Sequence, residues 1–204
     1  MKLNVTTTDK YRLFAFSRRM SELTLLYTNQ SPQALMKILD EELLPAALPF
    51  MLRPEDHFHG LEHSRETALL ACFLAMKENV SPLAPMMAAC LHDAGRRDND
   101  EGMEHAHDGA EIAEMFFRYS LSGSFFTSEM QTEIIVAIYH HADPAQATNQ
   151  VGAYLQDADR LRLAWLYGAR MDLFSTQSGL RLAQVGRRQT RRELAICFDT
   201  DKGI

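Results

Sequence analysis

All eight histidines of this 204-residue chain lie between His57 and His141. They keep company with carboxylates and with apolar runs. His59 and His63 are four residues apart at the start of a helical pattern, so their side chains share a face. His92-Asp93 closes the apolar run Met86–Leu91, and His107 opens the next helical stretch. His140-His141 ends the run Ile134–Tyr139, and Asp157-Ala158-Asp159-Arg160 opens one more. A buried imidazole or carboxylate costs free energy unless it finds a partner. A metal ion satisfies several such groups at once, because neutral imidazole and carboxylate are the usual ligands of zinc, iron, manganese and nickel. Taken singly, each histidine reads as a surface or core residue. Taken jointly with Asp93 and Asp159, they read as a metal centre.

The elements that must position these groups are helical. Apolar residues recur at three- and four-residue spacing over most of the chain, which predicts helices at about 9–28, 32–48, 61–78, 82–93, 104–119, 128–141, 150–174 and 178–197. Ser31-Pro32 and Ser81-Pro82 each set a capping hydroxyl before a proline suited to a first helical turn. Ser128–Gln131 has the form of a capping box, and Gly95 stands as a stop after Met86–Asp93. No alternating strand pattern of useful length is found. The expected fold is all-α, a single domain over residues 1–204 with no internal repeat.

Composition agrees with a globular chain: 46% of residues are apolar and 24% charged, with no apolar run long enough to span a bilayer. The N-terminal segment Met1–Lys10 is polar and lacks the apolar centre of a signal peptide. Cys72, Cys90 and Cys197 sit in apolar stretches without paired spacing, which suggests reduced thiols and a cytoplasmic protein. A net charge of −6 argues against a general nucleic-acid or membrane binder. The balance is uneven, since eight arginines from Arg160 to Arg192 stand against Asp172 and Glu193. Arg187, Arg188, Arg191 and Arg192 form either a solvated helix face or a patch for an anionic partner. Leu13-Phe14-Phe16, Phe116-Phe117 and Phe125-Phe126 read as core, with self-association into a homo-oligomer left open.

The order His63, His92-Asp93, Asp159 resembles the H…HD…D pattern of the HD superfamily of metal-dependent phosphohydrolases. The contexts resemble it too: Glu62-His63-Ser64 at a helix start, His92-Asp93-Ala94-Gly95-Arg96 like the family's HDxG(K/R) turn, and Ala158-Asp159-Arg160-Leu161 like its final ADRL. The resemblance runs from about His57 to Trp165. It implies a bundle of about seven to eight helices, and it assigns the last ligand to Asp159 rather than Asp157. With less specificity, His107 resembles the extra histidine of binuclear members such as those called HD-GYP, and His140-His141 their paired histidines. The implied ligand set is His63, His92, Asp93, His107, His140, His141 and Asp159, enough for two ions bridged by Asp93. Ala142-Asp143-Pro144 stands where HD-GYP proteins have Gly-Tyr-Pro, a departure that bears on cyclic-dinucleotide hydrolysis. His57 and His105 read as surface residues.

The implied reaction is hydrolysis of a phosphomonoester or phosphodiester of a nucleotide-like small molecule by metal-activated water, with one or two divalent ions per chain. Iron, manganese, zinc, nickel and magnesium are not distinguished by such donors. Asp93 would anchor the nucleophile, and Arg96, one turn on, suits a phosphate clamp through its planar fork. Arg97 has the weaker claim, because adjacent positions on a turn point apart. His59 fits a substrate contact combined with a helix-start role, and a further ligand is the other choice. Three rival readings stand beside this one. A histidine-rich di-iron site on the same scaffold resembles oxygenases, and a non-catalytic module could hold metal or nucleotide for signalling. His59-Gly60-Leu61-Glu62-His63 also fits the H-x-x-E-H motif of inverted zincin peptidases, with Glu62 as base and an acid such as Glu133 as a further ligand. That last reading leaves His92-Asp93 and Asp159 unexplained.

Overall fold

The structure is a computed structural model that describes residues 30–98, 102–145, 147–167 and 170–199. The helix expected over 9–28 and the aromatic group Leu13-Phe14-Phe16 lie outside the described residues. Helix and connecting loop account for everything described, with no strand among these residues. The helices are α1 (Pro32–Ile38), α2 (Leu44–Ala47), α3 (Leu61–Lys77), α4 (Leu83–Leu91), α5 (Glu104–Tyr119), α6 (Ser128–Tyr139), α7 (Gln150–Tyr167) and α8 (Gln177–Phe198).

The helix expected over 32–48 is interrupted. A wide π-turn (Leu39–Leu43) joins α1 to α2, and a 3-10 turn (Leu48–Phe50) follows. Pro45 and Pro49 supply the reason, since neither has an N–H to continue the α-helical ladder. Ser31 caps α1 as its position suggested, accepting the Ala34 N–H at 3.2 Å. Ser81 does not cap α4, which starts at Leu83 after Pro82. For α6 the cap is Thr127, one residue before the expected box, accepting the Met130 N–H at 3.3 Å.

The sequence of α4, Leu-Ala-Pro-Met-Met-Ala-Ala-Cys-Leu, has no polar side, and all nine of its residues are buried. It is the central rod: α3, α6 and α7 pack on it, while α5 packs on α6 and α8 on α7. A helix apolar all round has to be enclosed by neighbours, and enclosure brings their ends together at the end of the rod, where His92 follows. No helix of the described residues is long and apolar enough to cross a membrane. Cys72 and Cys90 are buried free thiols.

Two devices fix the frame. Asp157 on α7 is buried and ties down the entry to α8, accepting the N–H groups of Ser175 at 2.9 Å and Thr176 at 2.8 Å and the Thr176 hydroxyl at 2.7 Å. Glu78 at the end of α3 accepts the Ser178 N–H at 2.9 Å and the Tyr154 hydroxyl at 3.1 Å. The expected final helix is broken at Gly186, whose φ of 78° and ψ of 170° leave the helical region. Its two limbs fold toward each other, so that Arg181 pairs with Glu193 through bonds of 2.8 and 2.7 Å. Along a straight helix twelve residues would span about 18 Å. Arg187, Arg188, Arg191 and Arg192 are exposed on the second limb.

The turn after α4 meets α5 backbone to backbone. A Cβ on Gly109 would stand 2.5 Å from the His92 carbonyl oxygen, and one on Gly95 would stand 2.5 Å from the Gly109 nitrogen. Only glycine admits this approach. Gly109→Ala is expected to cost about 1–3 kcal/mol by overpacking, read as a fall in melting temperature of roughly 2–10 °C. An unchanged melting temperature would mean that α5 does not pack on this turn.

Candidate metal centre

Helix ends deliver all of the side chains but Asp159. Ahead of α3, the Asp56 carboxylate accepts the N–H groups of Phe58 at 2.8 Å and His59 at 3.0 Å, and Arg53 pairs with it at 2.6 Å. Those backbone bonds hold its carboxyl below the ordinary range. The loop closes so tightly over Gly60 that a Cβ there would stand 2.5 Å from the Pro54 carbonyl oxygen. His59 and His63 therefore enter one turn apart. His92 and Asp93 come from the turn capping α4, where the Ala94 carbonyl accepts the Leu52 N–H at 3.0 Å. His105 comes from the first turn of α5, His141 from the end of α6 and Asp159 from the middle of α7.

These side chains converge on Asp93, whose carboxylate is 2% exposed. Its Oδ2 lies 3.1 Å from His59 Nδ1, 3.2 Å from His63 Nε2 and 3.4 Å from His92 Nε2. Its Oδ1 lies 3.1 Å from Arg96 Nε, 3.7 Å from His105 Nε2 and 3.8 Å from His141 Nε2. Asp159 Oδ1 adds to the first side, 3.3 Å from His63 Nε2 and 3.9 Å from His92 Nε2. The two carboxylate oxygens thus face two different sets of imidazoles.

The ring nitrogens turned away from the cluster show how it is prepared. His92 Nδ1 donates to the Ala89 carbonyl at 2.8 Å, His141 Nδ1 to Ile138 at 2.7 Å and His105 Nδ1 to Gly102 at 2.6 Å. With a proton fixed on Nδ1, each of these rings when neutral presents the Nε2 lone pair inward, the arrangement that metal-ligating histidines adopt. Nitrogens meet there at 3.0 Å between His63 and His92 and at 3.2 Å between His105 and His141. The facing lone pairs of His105 and His141 need a proton or a cation between them, and the His63–His92 contact needs a proton on one of its two nitrogens or a cation in its place. Three groups of donors lie within 4.8 Å of one another and could hold an ion: His59, His63 and Asp93; His63, His92 and Asp159; and His92, Asp93 and His141. The donor set fits a divalent metal.

Electrostatics divides the rings. Burial resists charging His92, but Asp93 and Asp159 outweigh it and push its pKa up to about 9. Burial and the charge on His92 take His141 down to about 4. Burial, then Arg96, lowers His105. Asp93 is held well below the carboxylate range despite burial, by His92 and by bonds from His59, His63 and His92. Asp159 is lowered likewise, chiefly through His63, against burial.

Of the residues singled out in the sequence, His63, His92, Asp93, His141 and Asp159 are brought together, with His59 and Arg96 on opposite oxygens of Asp93. His107 and His140 are not. The His107 ring stacks on Tyr139 at 4.1 Å between centroids, and His140 stands edge-on to the same ring at 5.0 Å. Arg97 is exposed and pairs with Asp108 at 3.2 Å, while Glu62 and Glu133 lie on exposed surface. His57 is exposed. His105, which read as a surface residue, takes the place expected of His107. Two residues along a helix turn the side chain by about 200°, so only one of the pair can face inward. The signal that finds it is Gly109, which packs on the His92 carbonyl and lies four residues after His105, on the same face. Arg162 also escaped the sequence reading; it pairs with Glu66 at 3.1 Å and its guanidinium contacts His63 Nδ1.

A family model described as HD domain matches residues 60–164, just over half of the chain. No curated protein matches. Among solved structures, one described as the crystal structure of a predicted HD superfamily hydrolase from an uncultured Thermotogales bacterium is similar to this chain. It has a TM-score of 0.56 and 25% identity, covering 78% of this chain and 90% of that one.

With the His92 pKa pushed up to about 9, this ring carries a proton at neutral pH that an ion must displace. Metal affinity is therefore expected to rise with pH from about 6 to 9 and to level off above it. Calorimetry at pH 7 in buffers of different ionisation enthalpy should show about one proton released per ion bound. Proton-neutral binding would remove His92 as a ligand.

Proposed function

This chain belongs to the HD-domain family, and on that premise we propose that it is a metal-dependent phosphohydrolase acting on a phosphomonoester or phosphodiester of a nucleotide-like small molecule. The observation that supports the reading most is the placing of Asp93, buried, with one oxygen toward His63 and His92 and the other toward His105 and His141. In this reading His63, His92, Asp93 and Asp159 hold one divalent ion, and Asp93 with His105 and His141 forms the place for a second. Bound there, divalent metal supplies Lewis acidity and a water acidified toward neutrality.

The chain's own residues do the rest. Neutral His141 and His105 offer lone pairs at pH 7, and the carbonyls of Ile138 and Gly102 keep those lone pairs aimed inward. Asp93 and Asp159 stay ionised, since both are held below the ordinary carboxylate range. Their negative charge would repel a phosphate were it not offset, and Arg96 provides a fixed positive fork beside them. His59 is the more open group on Asp93, with 29% of its side chain exposed. It is placed to exchange a proton with a leaving oxygen while its other bond stays on the carboxylate. The nucleotide portion of the substrate rests on the family alone.

The test is release of inorganic phosphate or nitrophenol from p-nitrophenyl phosphate, bis-p-nitrophenyl phosphate and a panel of nucleotides, with manganese, zinc, iron, nickel or magnesium added. Turnover is expected with at least one pairing, falling roughly 100-fold or more in Asp93→Asn and His92→Ala and persisting in Glu62→Gln. No release under any metal would defeat the hydrolase reading. Loss of turnover in Glu62→Gln alone would favour a peptidase-like base.

A further inference from the structure

The two sides of Asp93 are not equivalent, and the difference lies in Arg96. On the Oδ1 side the Arg96 side chain is already bonded to the atoms that an ion there would use. Its Nε donates to Asp93 Oδ1 at 3.1 Å, and its Nη2 lies 2.7 Å from His105 Nε2. Since Arg96 can only donate, His105 accepts through the same lone pair that would ligate, its Nδ1 proton being spent on Gly102. The residue is 9% exposed, and its backbone is held by the Arg96 N–H bond to the Asp93 carbonyl at 3.0 Å. On the Oδ2 side the contacts are imidazoles and Asp159, and the nearby Arg162 touches His63 only at Nδ1, the nitrogen away from Asp93.

We infer that Arg96 is the built-in cation of the Oδ1 pocket: the chain loads one divalent ion readily and a second only by displacing this guanidinium from Asp93 and His105. The inference rests on reading the cluster as a metal centre. An ion entering beside Arg96 meets a like charge in a buried setting and finds two of its three protein donors already bonded. The guanidinium fits this place because it stays charged at every physiological pH and is easier to desolvate than an ammonium. In the one-ion form it stands where a second ion would neutralise phosphate oxygens. Metal supply then sets which of two cations, arginine or metal, faces the substrate.

The test counts ions by equilibrium dialysis and elemental analysis across a manganese and a zinc titration, with no activity assay. The set is the wild-type protein, Arg96→Gln, Arg96→Lys and His92→Ala. Wild type is expected to hold one ion tightly and a second only at about tenfold higher free metal or more. Arg96→Gln should bring the second ion in at about tenfold lower concentration, with an exchange-coupled manganese pair by electron paramagnetic resonance. Arg96→Lys, which keeps the charge, should stay near wild type. Arg96→Met stands in if the glutamine variant does not melt cooperatively. Two ions of equal affinity in wild type, or a second site unchanged or lost in both neutral variants, would overturn the inference while leaving the metal centre standing. No ion in wild type, or His92→Ala binding like wild type, would instead bring down the centre on which it rests.

Discussion

A carboxylate with 2% of its side chain exposed, at the end of an entirely apolar helix, has to be compensated by what surrounds it. An uncompensated buried charge of this kind would cost several kcal/mol, and here His59, His63, His92, Arg96, His105 and His141 gather around it. Two imidazoles approach one oxygen from the start of α3 and the end of α4, joined there by His59. Two more approach the other oxygen from α5 and α6, with Arg96 between. The same groups that neutralise the carboxylate make a donor set for divalent metal, which is why stability and chemistry meet on one residue. His92 shows the trade most clearly: its pKa is pushed up to about 9 by the carboxylates that the centre needs.

The scaffold keeps structural and chemical acids apart by helical geometry. Asp157 and Asp159 are two residues apart on α7, about 200° around the helix, and so serve opposite sides. Asp157 faces α8 and holds Ser175 and Thr176 in place, whereas Asp159 reaches His63 and His92. Gly95 and Gly109 have a related part, since their missing side chains let the His92-Asp93 turn and the start of α5 approach closely enough for His105 to reach Asp93.

Much of this was legible in the residues. Helical spacing located α3 to α6 to within a few positions, because their apolar faces repeat without competing signals, whereas α7 ends at Tyr167 and not at the expected 174. What escaped was decided by tertiary detail. Gly186 sits in a continuous helical pattern, and the bend shows only in its backbone angles and in the Arg181–Glu193 pairing. Thr127 and not Ser128 caps α6, a one-residue shift that propensity alone does not resolve. His105 and His107 are equally good ligands by type. The choice between them depends on which face of α5 packs on the His92 turn, and Gly109 carries that information in a form that only the packing explains. His140 and His141 pose the same problem at the end of α6, where the backbone bond to Ile138 turns His141 inward.

The central claim is that His63, His92, Asp93 and Asp159 form one ion site with Asp93 at its hub. Anomalous diffraction from crystals of the full chain grown with zinc or manganese tests it directly. A peak is expected about 2.0–2.3 Å from Nε2 of His63 and His92 and from an oxygen each of Asp93 and Asp159. A peak on His59 and His63 without Asp93, or none at saturating metal, would contradict it.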